Sequence, residues 1–294
     1  MKKGVLYAVA AYLLWGLLPL YWKLFQTMPA WEILAHRILW SFVFVGALLT
    51  INKRWSQLKQ AVSERKQKLA ILCCSLLISS NWLIFIWAVN AGHVIETSLG
   101  YYINPLLNVL FGVFLLKEKL QIGKWISIGF AAIGVAIITF QYGQVPWIAI
   151  SLALSFSLYG LAKKMIKIDS MLGLAWETIL VSPLALLYLM FVQVKGEATA
   201  FTLPWYSILL LLLSGAATAL PLYWFAQATK ILPFTTVGFI QYLAPSTSLL
   251  LAIFIFHEKF TTPDLIAFGF IWCSLFVFTF SSMRQKQVVT AKAA

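Results

Sequence analysis

Charged residues are scarce in this chain, and acidic residues are scarcer still. Only 11% of the 294 residues are charged, with nine Asp and Glu against 22 Lys and Arg, whereas 62% are hydrophobic. The mean hydropathy of +0.88 is far above that of soluble domains, in which about a quarter of the residues are charged. The composition therefore excludes a soluble globular protein and predicts that lipid surrounds most of the surface.

Motifs for nucleotide, metal and thiol chemistry are also lacking. No GxxxxGK[ST] or HExxH sequence occurs, the three histidines are scattered, and the three cysteines have neither metal-site nor redox spacing. We therefore expect no cofactor, no metal site and no enzymatic activity. The absence of a GxxxxGK[ST] sequence also argues against a function driven by ATP hydrolysis in this chain.

The chain instead contains ten apolar runs of about 20 residues, each long enough to cross about 30 Å of hydrocarbon as a helix. The runs are continuous and do not alternate with period two, so they predict helices rather than a β-barrel. The first run is too long to be a removed signal peptide. The predicted fold class is an all-α polytopic membrane protein with transmembrane helices at about 4–25, 30–51, 69–89, 95–116, 123–141, 145–163, 171–194, 204–227, 234–256 and 263–282.

An internal repeat relates the two halves of the chain. Shifting the sequence by 140 positions aligns residues 100–140 with 240–280 without a gap, and eleven of these 41 pairs are identical. The identities include Pro105/Pro245 and the Glu-Lys pairs 118–119 and 258–259. Such a pattern indicates a duplication of about half the chain.

The basic residues predict the orientation of the helices. With both termini placed in the cytoplasm, eighteen of the 22 Lys and Arg, Lys163 among them, fall in inner segments and three in outer ones. This is the positive-inside bias of a membrane protein, so the net charge of +13 does not predict nucleic-acid binding. Five helices per repeat make the second repeat inverted, with repeats at 1–141 and 142–283 and a cytoplasmic tail at 284–294. The inner loop from Asn52 is either a short surface helix or a solvated loop.

Two charged residues lie inside predicted membrane helices, where a charge is energetically costly and therefore indicates a structural or functional role. Arg37 lies about 10 Å below the outer boundary, and Glu177 lies about 9 Å above the inner one. Under the inverted repeat they occupy matching positions, so they could pair or bind different parts of a solute. Arg37 could instead snorkel to the interface, and Glu177 could make a structural hydrogen bond. His36, beside Arg37, is either a proton-sensing group or a buried neutral histidine.

Polar residues form a stripe on the fourth predicted helix, where Thr97, Tyr101, Asn104 and Asn108 are spaced by four, three and four. The corresponding stripe on the ninth includes Gln241. Both stripes could line a cavity, or they could join packed helices by hydrogen bonds. Pro105 and Pro245 predict helix kinks beside them. The predicted solute-binding set is completed by amide and aromatic residues suited to an organic solute, namely Asn81, Trp224 and Tyr242.

The chain resembles the RarD branch of the EamA-type carriers in the drug/metabolite transporter superfamily. The resemblance rests on WGLLPLYWK from Trp15, EILAHRILWS from Glu32, NWLIFIWAVNAGHVIETSLGYYINPL from Asn81 and KEKL from Lys117, and it extends over residues 1–283. It implies two inverted EamA repeats of five helices, cytoplasmic termini and transport of a small organic solute across the inner or plasma membrane.

The sequence therefore predicts a secondary carrier with alternating access at the repeat interface, exporting a metabolite or drug. Proton coupling through Glu177 and His36 is the mechanism to test. The alternatives are a channel and a non-transporting sensor or scaffold. The expected partners are a small-molecule solute and membrane lipid. A chain with both repeats can work as a monomer, and nothing in the sequence argues against a homodimer.

Overall fold

The computed structural model describes residues 1–25, 27–91, 93–143, 145–200, 203–257 and 261–293. Within these ranges the chain forms helices and no strand, and nine helical segments are long and apolar enough to span a membrane, one of them made of two consecutive helices at Phe234–Phe254. A further helix occupies the fourth predicted span, so the predicted all-α, multi-pass fold is confirmed. The helices are α1 (Lys2–Trp22), α2 (Ala30–Ile51), α3 (Trp55–Ala61), α4 (Arg65–Asn90), α5 (Val94–Phe114), α6 (Ile122–Tyr142), α7 (Trp147–Met165), α8 (Ser170–Val194), α9 (Trp205–Ile231), α10 (Phe234–Gln241), α11 (Leu243–Phe254) and α12 (Thr262–Ala293).

The loop after α2 contains the short helix α3, so this segment is helical, as the first of its two interpretations predicts. Leu58 of α3 is buried, and its carbonyl accepts a hydrogen bond from the Trp176 indole nitrogen at 2.9 Å. The helix is therefore anchored to the protein through α8. At the other end of the chain, α12 continues through most of the predicted tail to Ala293.

The ninth predicted span is broken, whereas the fourth is continuous. Helix α10 ends at Gln241 and α11 begins at Leu243, four and two residues before Pro245. Proline has no N–H for the carbonyl of Gln241, so the helix loses a hydrogen bond there. The helix is interrupted where the sequence predicts a kink, while α5 runs through Pro105 without an interruption.

The contacts between helices follow the repeat. α1 packs on α9 and α11, while its counterpart α7 packs on α4 and α5. α2 packs on α9 as α8 packs on α4, and α2·α8, α5·α10 and α6·α12 are contacts between counterparts. Exchanging the two halves therefore reproduces the pattern, as expected for repeats related by a two-fold axis. Most of the principal contacts join one half to the other.

The two ends of the helix bundle differ in charge. Gly4 lies against Ile231 and Leu232, the Lys230 amine donates to the carbonyl of Ile168, and Arg54 pairs with Asp169 at 3.1 Å. We call this end, which holds Lys2, Arg54, Lys163 and Lys230, the basic face. The other end, called the opposite face, holds residues 22–25 and the loop at 199–200, which Glu32 contacts.

Carboxylates at both faces accept hydrogen bonds from backbone amides that helices or loops leave unpaired. The buried Glu32 accepts from the amides of Thr199 and Ala200 at 3.0 Å. Glu118 accepts from Phe234 at 2.6 Å and Thr235 at 3.0 Å, the first two residues of α10. Glu118 thus joins the loop after α5 to the start of α10. Glu258 and Lys259, the repeat counterparts of Glu118 and Lys119, lie outside the described residues.

Replacing Glu118 with alanine is expected to lower the free energy of unfolding by about 1–3 kcal/mol, because two amides at the start of α10 lose their acceptor. Glutamine at this position keeps a carbonyl oxygen as acceptor, so Glu118→Gln should lower the free energy of unfolding by a smaller amount. The thermal unfolding midpoint in a single detergent measures the difference, with the exposed Glu64→Ala as a control. Equal midpoints for the Glu118→Ala protein and this control would contradict the capping role.

The glycines show where helices approach most closely. A Cβ atom on Gly215 of α9 would lie 2.2 Å from the backbone carbon and oxygen of Trp40 on α2. The Ser41 hydroxyl donates to the Gly215 carbonyl at 3.2 Å in the same crossing. Gly129 and Gly269, which recur in the repeat, have no atom within 4 Å of such a Cβ. Neither of these two glycines therefore marks a close crossing of helices.

Candidate functional site

Arg37 and Glu177 occupy the same position in the two repeats. Each is the seventh residue after the first residue of its helix, α2 for Arg37 and α8 for Glu177, and these two helices pack on each other. The equivalence predicted from the sequence therefore holds in the fold. The partners of the two side chains are nevertheless different.

Arg37 lies in an aromatic environment. Its guanidinium carbon is 4.4 Å from the centre of the Trp22 ring and 6.0 Å from that of Trp82. Its Nε donates to the Thr218 hydroxyl at 3.2 Å, and Thr218 is thirteen residues from either end of α9. The hydrogen bond therefore points toward the middle of the bundle, which argues against snorkelling as the reason for this charge.

Glu177 forms an ion pair that the sequence did not reveal. Its Oε1 is 2.5 Å from the Lys163 Nζ, and its Oε2 accepts from the Tyr159 hydroxyl at 3.0 Å. Both charged side chains are only 5% exposed. The sequence predicts Lys163 only as a basic residue of an inner segment, but it is buried in the last turn of α7 and neutralises Glu177. Arg37 and Glu177 therefore do not pair in this conformation.

Two small cavities meet at Glu177, and each measures about 10 Å³, roughly the space of one water molecule. The first lies between α2, α4, α8 and α9 and is lined by Ser41, Trp82 and Thr178 among others. The second extends toward the basic face between Lys163, Asp169 and Lys230. The carboxylate therefore separates the middle of the bundle from the basic face.

The two charged positions differ in exposure. Arg37 is only partly buried, and the nearby Tyr101 on α5 is 53% exposed and packs against Phe85 at 6.2 Å between ring centres. The hydroxyl of Tyr101 is close enough to the guanidinium to interact with it electrostatically. The position of Glu177 is closed, whereas that of Arg37 has accessible surface.

The predicted polar stripe forms a buried hydrogen-bond network. Gln241 donates to the side-chain Oδ1 of Asn104 and accepts from the Asn108 side-chain amide at 2.5 Å and from the Tyr12 hydroxyl at 3.2 Å. Asn104 donates further to the Ala153 carbonyl at 2.7 Å and to Ser157 at 2.9 Å. The network joins α5 to α1, α7 and α10. In this conformation it connects helices, and Tyr101 is the exposed member of the stripe.

The other predicted site residues are dispersed. Asn81 donates to the Leu152 carbonyl at 2.9 Å and to Ser155 at 3.0 Å, which ties α4 to α7. Trp224 packs against the main core, and Tyr242 is fully buried beside Ala131 and Ile271. The Nδ1 of His36 is buried without a partner in the described part of the chain, and His36 is not among the partners of Glu177.

Sequence reasoning missed the residues that complete each charged position. Lys163 and Tyr159 are one helical turn apart on α7, and this spacing beside an intramembrane acid is a signal that could have identified the pair. Thr218 and Trp22 carry no comparable signal, because a threonine and an interfacial tryptophan are ordinary in membrane helices.

The fold and this site define a helical membrane protein built from two repeats, with opposite charges at equivalent positions of the two halves. The model of the EamA-like transporter family matches residues 2–140 and 145–280. The chain therefore belongs to the EamA-like transporter family, and its relatives place it in the RarD branch.

Several relatives match over nearly their whole length. The uncharacterized transporter YojE of Bacillus subtilis is 46% identical over 292 residues, which cover 97% of this chain and 96% of the relative. Protein RarD of Escherichia coli is 38% identical over 282 residues, which cover 96% and 95%. A solved crystal structure matches with a TM-score of 0.75 at 19% identity, covering 97% of this chain and 99% of the other. At that identity the likeness concerns the fold alone.

Proposed function

We propose that this protein is a secondary carrier that exports a small organic solute by alternating access between its two repeats. Its family is one of transporters. The repeats give the fold two related arrangements of similar energy, one open to each side of the membrane. The described residues contain no group of three or more potential metal ligands, and the proposal needs none.

The main support is the unequal state of the two equivalent charges. At the basic face, Glu177, Lys163 and Tyr159 form a closed cluster whose charged members are only 5% exposed. Arg37 retains accessible surface, as does Tyr101. A carrier open on one side and closed on the other requires such an asymmetry. In the proposed cycle, opening the basic face separates Glu177 from Lys163 while the space around Arg37 closes.

We place both termini in the cytoplasm and the protein in the inner or plasma membrane. Lys2, Arg54, Lys163 and Lys230 share one face, which agrees with the positive-inside rule. With this orientation the closed cluster faces the cytoplasm and the space around Arg37 faces outward.

Proton coupling through Glu177 is part of the proposal. A proton on its carboxylate would remove the charge that holds Lys163 and so favour separation of the pair. Asp169 and Lys230 line the cavity on the cytoplasmic side of the pair, and Tyr159 contacts the carboxylate directly. His36 lies on α2 and not in this cluster, so its part in coupling is tested separately.

The experiment compares metabolites released by cells that overproduce the wild type, Arg37→Ala or Glu177→Gln at equal membrane abundance. Two exposed residues supply the controls. Lys23→Gln removes a positive charge, as Arg37→Ala does, and Glu64→Gln removes a negative charge, as Glu177→Gln does. We expect one compound to accumulate outside only with the wild type and the two controls. Glu177→Gln should also remove the dependence of export on external pH, and His36→Gln shows whether His36 shares that dependence.

Other outcomes would point elsewhere. Equal release from the wild type and both site variants would remove both charges from the mechanism. Binding of the compound without flux would favour a sensor or scaffold, and flux that does not saturate would favour a channel.

A further inference from the structure

We propose that the transported solute is an organic carboxylate whose negative charge is bound by Arg37. This inference rests on the proposed carrier function and adds the chemical class of its substrate.

The first support is that Arg37 has no counter-charge in the part of the chain that the structure describes. The three ion pairs of that part involve Arg54, His93 and Lys163. The acids on α2 and on the adjoining α8 have other partners, because Glu32 accepts from residues 199 and 200 and Glu177 is paired with Lys163. A lone guanidinium in a membrane-spanning helix is costly, and a bound anion would offset the cost.

The second support is that Arg37 keeps donors free. Its Nε donates to Thr218, while its two terminal nitrogens donate to no atom of the described residues. These nitrogens form the planar fork that matches both oxygens of a carboxylate. Stacking on Trp22 at 4.4 Å and the bond to Thr218 together restrict the guanidinium, so the fork is oriented before an anion arrives.

The third support concerns the rest of the solute. Tyr101, with 53% of its surface exposed, lies near the guanidinium and packs against Phe85, and the Trp82 ring centre is 6.0 Å from the guanidinium carbon. These faces offer apolar and π contacts that a bare inorganic anion would not use. The walls therefore favour an anion with an apolar or aromatic body.

The fourth support is the charge balance between the two halves. At the equivalent position of the other repeat, the positive charge of Lys163 neutralises Glu177. The positive charge of Arg37 therefore has no balancing negative charge at these two positions. Such a site attracts anions and repels organic cations of the same shape.

The test measures binding rather than flux, so its failure is distinct from failure of the carrier proposal. Purified protein in nanodiscs of neutral lipid is titrated by calorimetry with benzoate, phenylacetate and 3-phenylpropionate, and with the neutral amide of each. We expect at least one acid to bind about tenfold more tightly than its amide. The Arg37→Gln protein should bind that acid only as weakly as it binds the amide. The affinity of Arg37→Lys for the acid should be intermediate, and that of Lys23→Gln should equal the wild-type affinity.

The comparison of acid with amide needs no variant, so it holds even if Arg37→Gln folds poorly. Equal affinity for an acid and its amide would overturn the proposal. So would undiminished binding by a folded Arg37→Gln protein, or failure of all three acids to bind at about 10 mM. Arg37-dependent binding without export would keep the anion site and remove the carrier function.

Discussion

Replacing Lys163 with alanine is expected to lower the free energy of unfolding by about 3–5 kcal/mol, because it leaves the buried Glu177 without its cation. The two groups are 2.5 Å apart and 5% exposed, so water cannot take the place of the lost partner. The Tyr159 hydroxyl would remain as the single donor to the carboxylate. Unfolding monitored by tryptophan fluorescence at one detergent concentration measures the loss.

A double variant separates pairing from packing. Lys163→Met with Glu177→Leu removes both charges while roughly keeping their volumes, so most of the lost stability should return. Lys167→Ala, an exposed lysine two residues beyond the end of α7, should stay within about 0.5 kcal/mol of the wild type. An equal loss in the single and double variants would mean that packing, rather than the ion pair, stabilises this end of the bundle.

Replacing Gly215 with alanine is the second change with a large expected effect. The new methyl would lie 2.2 Å from the Trp40 carbonyl, and backbone atoms cannot move aside as a flexible side chain can. Helices α2 and α9 would have to separate by about 1 Å or more to reach an ordinary contact distance. We expect a loss of about 1–3 kcal/mol from this strain.

The effect should extend to the proposed solute site. Thr218, which accepts from Arg37, is one helical turn beyond Gly215, so a shift of α9 would also lengthen that hydrogen bond. Gly129→Ala is the matched control, since no atom lies within 4 Å of its Cβ position, and it should be neutral or slightly stabilising. Similar unfolding midpoints for the two alanine variants would show that the close crossing does not limit stability.

Much of the fold could be predicted from the sequence, because a long apolar segment that crosses a membrane forms a helix to satisfy its backbone hydrogen bonds. Nine predicted spans and a tenth helix fall where the hydropathy placed them, and the break beside Pro245 follows from the missing N–H of proline. The equivalence of Arg37 and Glu177 follows from the shift of 140 residues. These features depend on residue type and spacing alone.

The partners of those residues depend on tertiary contacts, and the sequence did not supply them. Lys163 lies at a helix end, where a lysine usually faces water and reports orientation. Only the fold, in which α7 and α8 both pack on α4, shows that it meets Glu177. In the same way, Glu118 caps a helix that begins 116 residues later, and the spacing of Asn104 and Asn108 could not identify Gln241 as their common partner.

The contacts between the halves also set the order in which the protein can assemble. α1 packs mainly on α9 and α11, and α6 packs on α12, so the principal partners of these early helices are among the last to be made. Helix α9 begins at Trp205, about 200 residues after the start of α1. At a translation rate of about 5–20 residues per second, roughly 10–40 s pass between the synthesis of α1 and that of its first packing partner. During that interval the first repeat lacks the helices that cover its inner faces, and the bundle can close only when translation is nearly complete.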